Sequence, residues 1–319
     1  MRISTRCLRD VTPVIFAAVV VAIALAILFP TAQRSFVLVR DVEECDWAKD
    51  PLSNQCRQRS LEALITVASM LKVGVKSSRN SIQFGKGYGM HTLIDTGKPN
   101  STCIFYSYGI ARDYSFDNHL ARAWECKGFL FDPSVVHPAL LPASLHFFHL
   151  AAPLLSDKPD CFSDPARKCR DLAEWIAVSP PQVMSFFKHR HIHVLKMDCE
   201  GCEYALARDI AAYDPAFFTK VDQFALEVHA SRFWVKSELH EHYLGLLYHM
   251  LFDAGFALED GHVGGCGRAT EVLGCPATME KVGYPCGIGK SCHNYLFAKR
   301  AAPTAPAGVS THLSSQGTS

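Results

Sequence analysis

The chain has 319 residues, of which 49% are hydrophobic and 20% are charged, and its formal net charge is +1. A chain of this size and composition can bury one substantial core, which excludes wholesale disorder and favours a single catalytic-sized domain. The near-neutral charge offers no basic surface to a polyanion, so we expect no nucleic-acid partner.

A strongly apolar segment without formal charge spans residues 11–33 and follows a short tail with three arginines, residues 1–10. As a helix it is long enough to cross a bilayer, and the basic residues before it favour a cytosolic tail. We therefore predict a signal anchor that makes the protein a single-pass type II membrane protein. A cleaved signal peptide and a buried core helix are the alternatives, and Pro30 disfavours the cleavage site that Ala32 would offer.

Cysteine usage agrees with a body in the lumen of the endoplasmic reticulum or Golgi. One of the thirteen cysteines precedes the apolar segment, and the even number that follows it indicates disulfides in an oxidising compartment. Asn100 begins an Asn-Ser-Thr acceptor for N-glycosylation. The sequence therefore predicts a disulfide-bonded glycoprotein of the secretory pathway.

The rest of the chain divides into three parts. Residues 34–58 show little periodicity and are predicted to form a stem, while residues 59–300 form the folded domain, which begins with an amphipathic helix over 60–72. Residues 301–319 are rich in Ala, Pro, Ser and Thr and are predicted to be disordered. The glycines at 85, 87 and 89 lack the lysine of a P-loop and predict a lid or a turn.

Apolar runs that alternate with helical patterns predict an α/β fold, with a mostly parallel seven-stranded sheet and helices on both faces in a Rossmann-like arrangement. The last two strands are predicted to form an antiparallel hairpin. The predicted strands cover residues 103–108, 128–131, 145–150, 193–197, 224–228, 256–258 and 295–298.

Two cysteines precede neighbouring strands of this predicted sheet. Cys103 and Cys126 stand before the first and second strands, whose starts lie on one edge, so we predict a disulfide between them. The alternatives are the locally spaced pairs Cys161 with Cys169 and Cys286 with Cys292.

The first two predicted parallel strands carry the strongest functional pattern. Gly109 follows the first strand, an amphipathic helix comes next, and the second strand ends at Asp132, about 20 residues beyond the glycine. This is the layout of a nucleotide-binding βαβ unit, in which a glycine turn and a helix start approach the ligand and the acid binds the ribose. We therefore predict an adenosine-containing cofactor held by Asp132.

Three segments, SYGIARDYSFD, FDPS and LKMDCEGCEY, resemble class I S-adenosylmethionine-dependent methyltransferases. The likeness is to the methyltransferase-like protein 24 group, related to the FkbM methyltransferases, and spans roughly residues 61–300. It implies a class I methyltransferase fold, S-adenosylmethionine as cofactor, and an oxygen acceptor. Ser107 and Ala111 depart from the wider glycine pattern. The residues expected to bind the cofactor are Ser107, Gly109, Asp113, Asp132, Asp198 and Glu200.

The fourth and fifth strands end in candidate catalytic groups. Asp198 is predicted to face the methionine end of the cofactor or the acceptor, and His229 is the candidate general base, because an imidazole titrates near neutrality. Glu227 is predicted to face away from His229. Asp198 with Glu227 or His229 would suit Mg²⁺, but the ligand set is incomplete and no metal is predicted.

Two further motifs are given structural interpretations. Cys199 and Cys202 have the spacing of a redox or zinc site, yet the acids around them oppose a thiolate, so we predict structural thiols or a disulfide. His189, His191 and His193 alternate with basic residues and are predicted to mark a helix end.

The sequence as a whole predicts an S-adenosylmethionine-dependent methyltransferase, anchored in the membrane by its N-terminal helix, that methylates a hydroxyl of a sugar or glycan. Two alternatives stay open. One is a binding protein that keeps the fold without catalysis, which is favoured by the loss of glycines at Ser107 and Ala111. The other is a lumenal oxidoreductase that uses Cys199 and Cys202.

Overall fold

The computed structural model describes residues 44–99, 102–111, 113–135, 141–155, 176–264, 274–287 and 289–300. The predicted cytosolic tail and signal anchor, Asn100, the pair Cys161 and Cys169, and the C-terminal tail lie outside these residues. Within the described ranges, no helix combines the length and the apolar character that a bilayer crossing requires.

Nine strands and six α-helices make up the described domain. The strands are β1 (Ser81–Phe84), β2 (His91–Ile94), β3 (Ile104–Tyr108), β4 (Lys127–Phe131), β5 (Leu145–Phe148), β6 (Ile192–Met197), β7 (Val221–His229), β8 (Phe256–Gly264) and β9 (Cys292–Lys299). The helices are α1 (Asn54–Val73), α2 (Ser115–Ala123), α3 (Pro180–Phe187), α4 (Glu203–Tyr213), α5 (Glu238–Asp253) and α6 (Ala277–Val282). Short 3₁₀ turns lie at Gly87–Gly89 and Phe217–Lys220.

The main sheet has seven strands in the order β5-β4-β3-β6-β7-β9-β8. Strands β3 to β7 run parallel, whereas β9 pairs antiparallel with both β7 and β8. The predicted mostly parallel sheet with a closing antiparallel pair is therefore confirmed. The strand order reverses between β3 and β6, and ligands of open α/β sheets bind beyond the carboxyl ends of strands at such a point.

Each face of the sheet carries its own hydrophobic core, because neighbouring side chains of a strand point to opposite faces. In β3, Tyr106 and Tyr108 join the core under α1, α4 and α5, whereas Phe105 joins the core under α2 and the β1–β2 hairpin. In β6, Leu195 joins the first of these cores and Val194 joins the second. The predicted helices on both faces are confirmed.

Helix α1 begins earlier than the sequence predicts. It starts at Asn54, where the Ser53 hydroxyl accepts a hydrogen bond from the Cys56 amide, and a disulfide joins Cys56 to the buried Cys45. Residues 54–58, assigned to the stem on sequence grounds, are thus part of the domain.

Four disulfides join described residues. The pairs are Cys45–Cys56, Cys103–Cys126, Cys199–Cys202 and Cys275–Cys286. The predicted link between Cys103 and Cys126 is present, since parallel pairing of β3 with β4 places their starts side by side. The alternative pairing of Cys286 with Cys292 is wrong, because the chain folds back from α6 and brings Cys275 to Cys286.

The β1–β2 hairpin, which the sequence does not predict, is tied to the main sheet by one amide. The buried side chain of Gln223 in β7 accepts a hydrogen bond from the Ile94 N–H at 2.8 Å and donates one to the Ile94 carbonyl at 3.0 Å. One glutamine thus satisfies both backbone groups at the end of β2.

Replacing Gln223 by leucine removes both bonds while keeping a side chain of similar size. Since each buried unpaired polar group costs about 1–3 kcal/mol, we expect the free energy of unfolding to fall by about 2–4 kcal/mol. Urea denaturation measures the change. Gln83→Leu, on the exposed side of β1, is the matched control and should change stability by about 0.5 kcal/mol or less. Equal losses of stability from the two substitutions would contradict the stabilising role of the Gln223–Ile94 hydrogen bonds.

Candidate active site

A tight glycine turn joins the ends of β3 and β6. Gly109 has a φ of +74°, and a Cβ placed there would lie 1.7 Å from the Asp198 carbonyl oxygen. Only glycine fits such an approach at a positive φ. The turn after β3 therefore contacts the backbone at the end of β6, at the point where the strand order reverses.

Asp132 holds this turn from the end of β4. Its buried carboxylate accepts a hydrogen bond from the Ala111 amide at 2.8 Å, and from the amide and hydroxyl of Ser134 at 2.7 Å each. The Gly109 amide donates to the Phe131 carbonyl at 2.9 Å. Protein donors thus fill three of the roughly four acceptor positions that a carboxylate offers.

Ser107 and Asp113 lie on either side of the turn. Ser107 is fully buried in β3 and pairs in register with Lys196 of β6. Asp113 is exposed and accepts hydrogen bonds from the amides of Ser115 and Gly89. Partial burial opposes ionisation of Asp113, but hydrogen bonds from the side chain and amide of Ser115 and from the Gly89 amide lower its pKa. Its contacts are therefore those of a group that fixes the start of α2.

Lys196 is a central residue of the site that the sequence reasoning missed. Its buried ammonium donates to the Gly109 carbonyl at 2.7 Å and lies 3.6 Å from the Asp198 carboxylate. The charge also acts on His91 in β2, since burial and then Lys196 lower the pKa of that imidazole to about 4. The signal in the sequence was a lysine inside an apolar strand, which needs a buried partner.

The surroundings of His229 favour its protonated form, which opposes the predicted role of general base at neutral pH. His229 is buried, and its backbone N–H and ring Nδ1 both contact Glu203 Oε1, at 2.8 and 3.1 Å. Burial alone lowers its pKa, but the charges of Glu203, Glu200 and Glu227 raise the pKa of His229 to about 10. An imidazole that stays protonated has no lone pair with which to accept a proton.

Glu227 lies beside His229, contrary to the prediction that it faces away. Two positions of a strand separate these residues, so they share a face, and Glu227 Oε1 is 3.7 Å from His229 Nε2. Burial and then Asp198 raise the pKa of Glu227 to about 7. The alternation of side chains along a strand would have placed Glu227 on the same face as His229.

Asp198 and Glu200 occupy the rim of the same edge. Asp198 keeps about a quarter of its side chain exposed, and Glu200 is largely exposed. Glu200 adopts a φ of +57°, and its carboxylate accepts a hydrogen bond from Trp234 Nε1 at 3.1 Å. The structure therefore brings Asp198, Glu227 and His229 together with Glu200, whose Oε2 also lies 3.7 Å from His229 Nε2.

The Cys199–Cys202 disulfide closes the loop that carries these acids. Cys202 is buried, and Glu203, the first residue of α4, accepts a hydrogen bond from the Gly201 amide at 2.9 Å. The predicted structural disulfide is present, and it fixes the path from β6 to α4.

A family model described as a methyltransferase domain matches residues 82–247, which is a little over half of the chain. The chain belongs to this methyltransferase family. The match covers the glycine turn, Asp132 and every acid of the carboxyl edge, and it confirms the predicted methyltransferase. Comparisons with curated proteins and with solved structures gave no match.

The methyltransferase site offers a nucleoside-containing methyl donor one acceptor position of Asp132 at the end of β4, which the three protein donors leave unfilled. At Gly109 the Asp198 carbonyl occupies the place that a Cβ would take, so the turn packs directly on the end of β6. S-adenosylmethionine, when bound, supplies an electrophilic methyl group on a positively charged sulfur. Exposed Asp198 and Glu200 offer negative charge at that edge.

Two clusters of possible metal ligands within the described residues are poorly suited to an ion. Glu227 and His229 lie near Cys292, but Glu203 holds the Nδ1 of His229 and Cys292 is disulfide-bonded. At the opposite edge, His191 and Asp222 lie near His193.

In that second cluster His191 Nε2 already contacts the Asp222 carboxylate at 2.7 Å, and one ring nitrogen of His193 is used by the backbone. The Nδ1 of His193 accepts a hydrogen bond from the Ile104 amide, which leaves the proton on Nε2. His189 bonds to Tyr106, and helix α3 ends just before these histidines, as predicted.

Gly109→Ala should destabilise the protein more than a glycine substitution without a clash. A side chain at positive φ costs about 1–2 kcal/mol, and overpacking adds about 1–3 kcal/mol. Gly255 is the matched control, because it has a φ of +84° and a Cβ added to it would meet no atom within 4 Å. Chemical denaturation should give the larger loss for Gly109→Ala, and equal losses would contradict the close approach.

The pairing of His229 with Glu203 predicts a specific pH dependence of stability. The folded pKa of about 10 lies above the usual 6.5, so the contribution is complete below pH 6.5 and is lost as the pH rises towards 10. The difference in free energy of unfolding between the wild type and His229→Gln should therefore shrink between pH 6.5 and 9. Chemical denaturation of both proteins at several pH values measures this difference. A difference in free energy of unfolding that does not change with pH would refute the charged pair of His229 and Glu203.

Proposed function

We propose that this methyltransferase uses S-adenosylmethionine to methylate a hydroxyl oxygen of a sugar or glycan. The observation that carries the proposal is the Gly109 turn, which Asp132 and Lys196 hold against the end of β6. This packing fixes the backbone at the carboxyl ends of β3, β4 and β6, where ligands of open α/β sheets bind. The resemblance to the methyltransferase-like protein 24 group supports the choice of an oxygen acceptor.

We assign the proposed roles to residues at the ends of β4 and β6 and in the loop after β3. Asp132 binds the ribose with its remaining acceptor capacity, with Ser107, Gly109 and Asp113 forming the loop that positions the rest of the cofactor. At the end of β6, Asp198 and Glu200 face the charged end of the cofactor and the acceptor. Because Ser134 already donates twice to Asp132, ribose binding requires the Ser134 hydroxyl to turn away.

We further propose that the protein acts in the endoplasmic reticulum or Golgi as a type II membrane protein, with its catalytic domain in the lumen. The support is the apolar segment at residues 11–33 and the four disulfides among described residues, which are typical of an oxidising compartment. Lumenal sugars and glycans would then be the accessible acceptors.

Calorimetric titration of the full-length protein in detergent with S-adenosylmethionine tests the proposal. Asp132→Asn should weaken binding about tenfold or more, because a hydrogen bond to a charged group contributes about 1.5–3 kcal/mol. Asp222→Asn, at the opposite edge of the sheet, is the control and should bind normally.

Two results of this titration would count against the proposal. Unchanged affinity in a folded Asp132→Asn variant would refute the ribose role. A folded wild type that binds no S-adenosylmethionine would refute the activity and favour the alternative of a binding protein with this fold.

A further inference from the structure

Two carboxylates stand side by side at the carboxyl edge of neighbouring strands. In the register of β6 with β7, Met197 pairs with Leu226, so Asp198 and Glu227 are the next residues along each strand. The backbone of Asp198 contacts the Gly109 turn. Glu227 is therefore one strand away from the place proposed for the cofactor.

The side chain of Glu227 combines burial with access to solvent. It is 15% exposed, and its nearest cation is His229, whose Nε2 lies at 3.7 Å. His229 cannot turn, because Glu203 holds its Nδ1 and its backbone amide, and the Tyr204 hydroxyl donates to its carbonyl at 2.7 Å. The cation beside Glu227 thus occupies a fixed position.

We propose that Glu227 is the catalytic base that removes the proton from the acceptor hydroxyl, and that the His229–Glu203 pair positions it, an inference that rests on the proposed function. The hydroxyl proton passes to the Glu227 carboxylate. The oxygen lone pair forms the new bond to the methyl carbon of the sulfonium donor, and the electrons of the broken carbon–sulfur bond remain on sulfur. The product is a methyl ether, and protonated Glu227 releases its proton to water.

The charges around Glu227 suit this role better than those around its neighbours. A general base works best with a pKa near the ambient pH, and the pKa of Glu227, raised to about 7 mainly by burial and then by Asp198, meets that condition. The charged groups that face it are Asp198 and Lys196 from β6, Glu200 from the following loop, His229 from β7 and, through His229, Glu203 from α4. On β9 its partner is the uncharged Asn294, beside the disulfide-bonded Cys292.

The test compares the full-length wild type with Glu227→Gln, Glu227→Asp and a control variant, Glu125→Gln. Glu125 lies just before β4, and its exposed carboxylate pairs with Lys98. The first measurement is the affinity for S-adenosylmethionine. The second is the free energy of unfolding between pH 4 and 8 without cofactor. The third is the rate of methyl transfer to methyl α-D-mannoside and methyl β-D-galactoside, followed by mass spectrometry.

We expect Glu227→Gln to bind S-adenosylmethionine within about twofold of the wild type, since it lies outside the proposed cofactor contacts. Its rate should fall on the order of 100-fold or more in kcat, with KM little changed. The wild-type rate should rise with pH around 7, Glu227→Asp should recover part of the rate, and Glu125→Gln should behave as wild type.

The unfolding measurement needs neither cofactor nor acceptor. The folded state holds the Glu227 proton more tightly than the unfolded state, so the stability of the wild type relative to Glu227→Gln should decrease as the pH rises from 4.5 to 7. Parallel curves overturn the proposal even if neither glycoside is an acceptor. Wild-type rates in Glu227→Gln, or loss of cofactor binding in that variant, also overturn it. Failure of the proposed function itself is distinguished by a wild type that binds no S-adenosylmethionine.

Discussion

A buried ammonium group holds the two central strands of the sheet together at the edge where the site lies. Lys196 projects from β6, and its ammonium donates to the carbonyl at the Gly109 turn of β3. A buried cation without partners would cost several kcal/mol, so the carbonyl must stay turned towards it. The same turn requires Gly109 to lie against the Asp198 carbonyl. The glycine conformation, the lysine and the acid therefore form one unit that exists before any ligand arrives, and preorganisation of this kind lowers the cost of binding.

The second constraint is the distribution of charge along the edge. Lys196 and His229 are the cations, and they are held by backbone carbonyls and by Glu203 respectively. His91 stays neutral, because burial and the Lys196 charge lower its pKa to about 4. Burial and then Asp198 raise the pKa of Glu227 to about 7, whereas the pKa values of His91 and His229 are shifted away from neutrality in opposite directions. Glu227 therefore has a pKa close to the one that a proton-transferring group needs, in agreement with the base role proposed for it.

Much of the fold was predictable, because the parallel strands are buried on both faces and appear as continuous apolar runs. The β1–β2 hairpin was missed, since each of its strands has only four residues and β2 depends on Gln223, which lies 129 residues from Ile94. The spacing of Gly109 and Asp132 correctly placed them at the carboxyl ends of the first two parallel strands. The charge state of His229 could not be read in the same way, because it depends on burial and on Glu203, which the strand-to-helix turn brings back beside β7.

The loop after β6 shows why the acids differ in role although the sequence places them together. Glu200 and Gly201 both adopt positive φ, and the strain at the non-glycine residue, about 1–2 kcal/mol, is offset by the Trp234 hydrogen bond and the disulfide around it. This sharp reversal lets Glu203 begin α4 with its carboxylate turned inward to the Gly201 and His229 amides. Glu203 therefore accepts hydrogen bonds from the backbone of Gly201 and His229, and Glu200 accepts one from the Trp234 side chain. The backbone of Asp198 contacts the Gly109 turn, and Glu227 lies next to Asp198 on the neighbouring strand, so the loop after β6 sets the charges around both carboxylates.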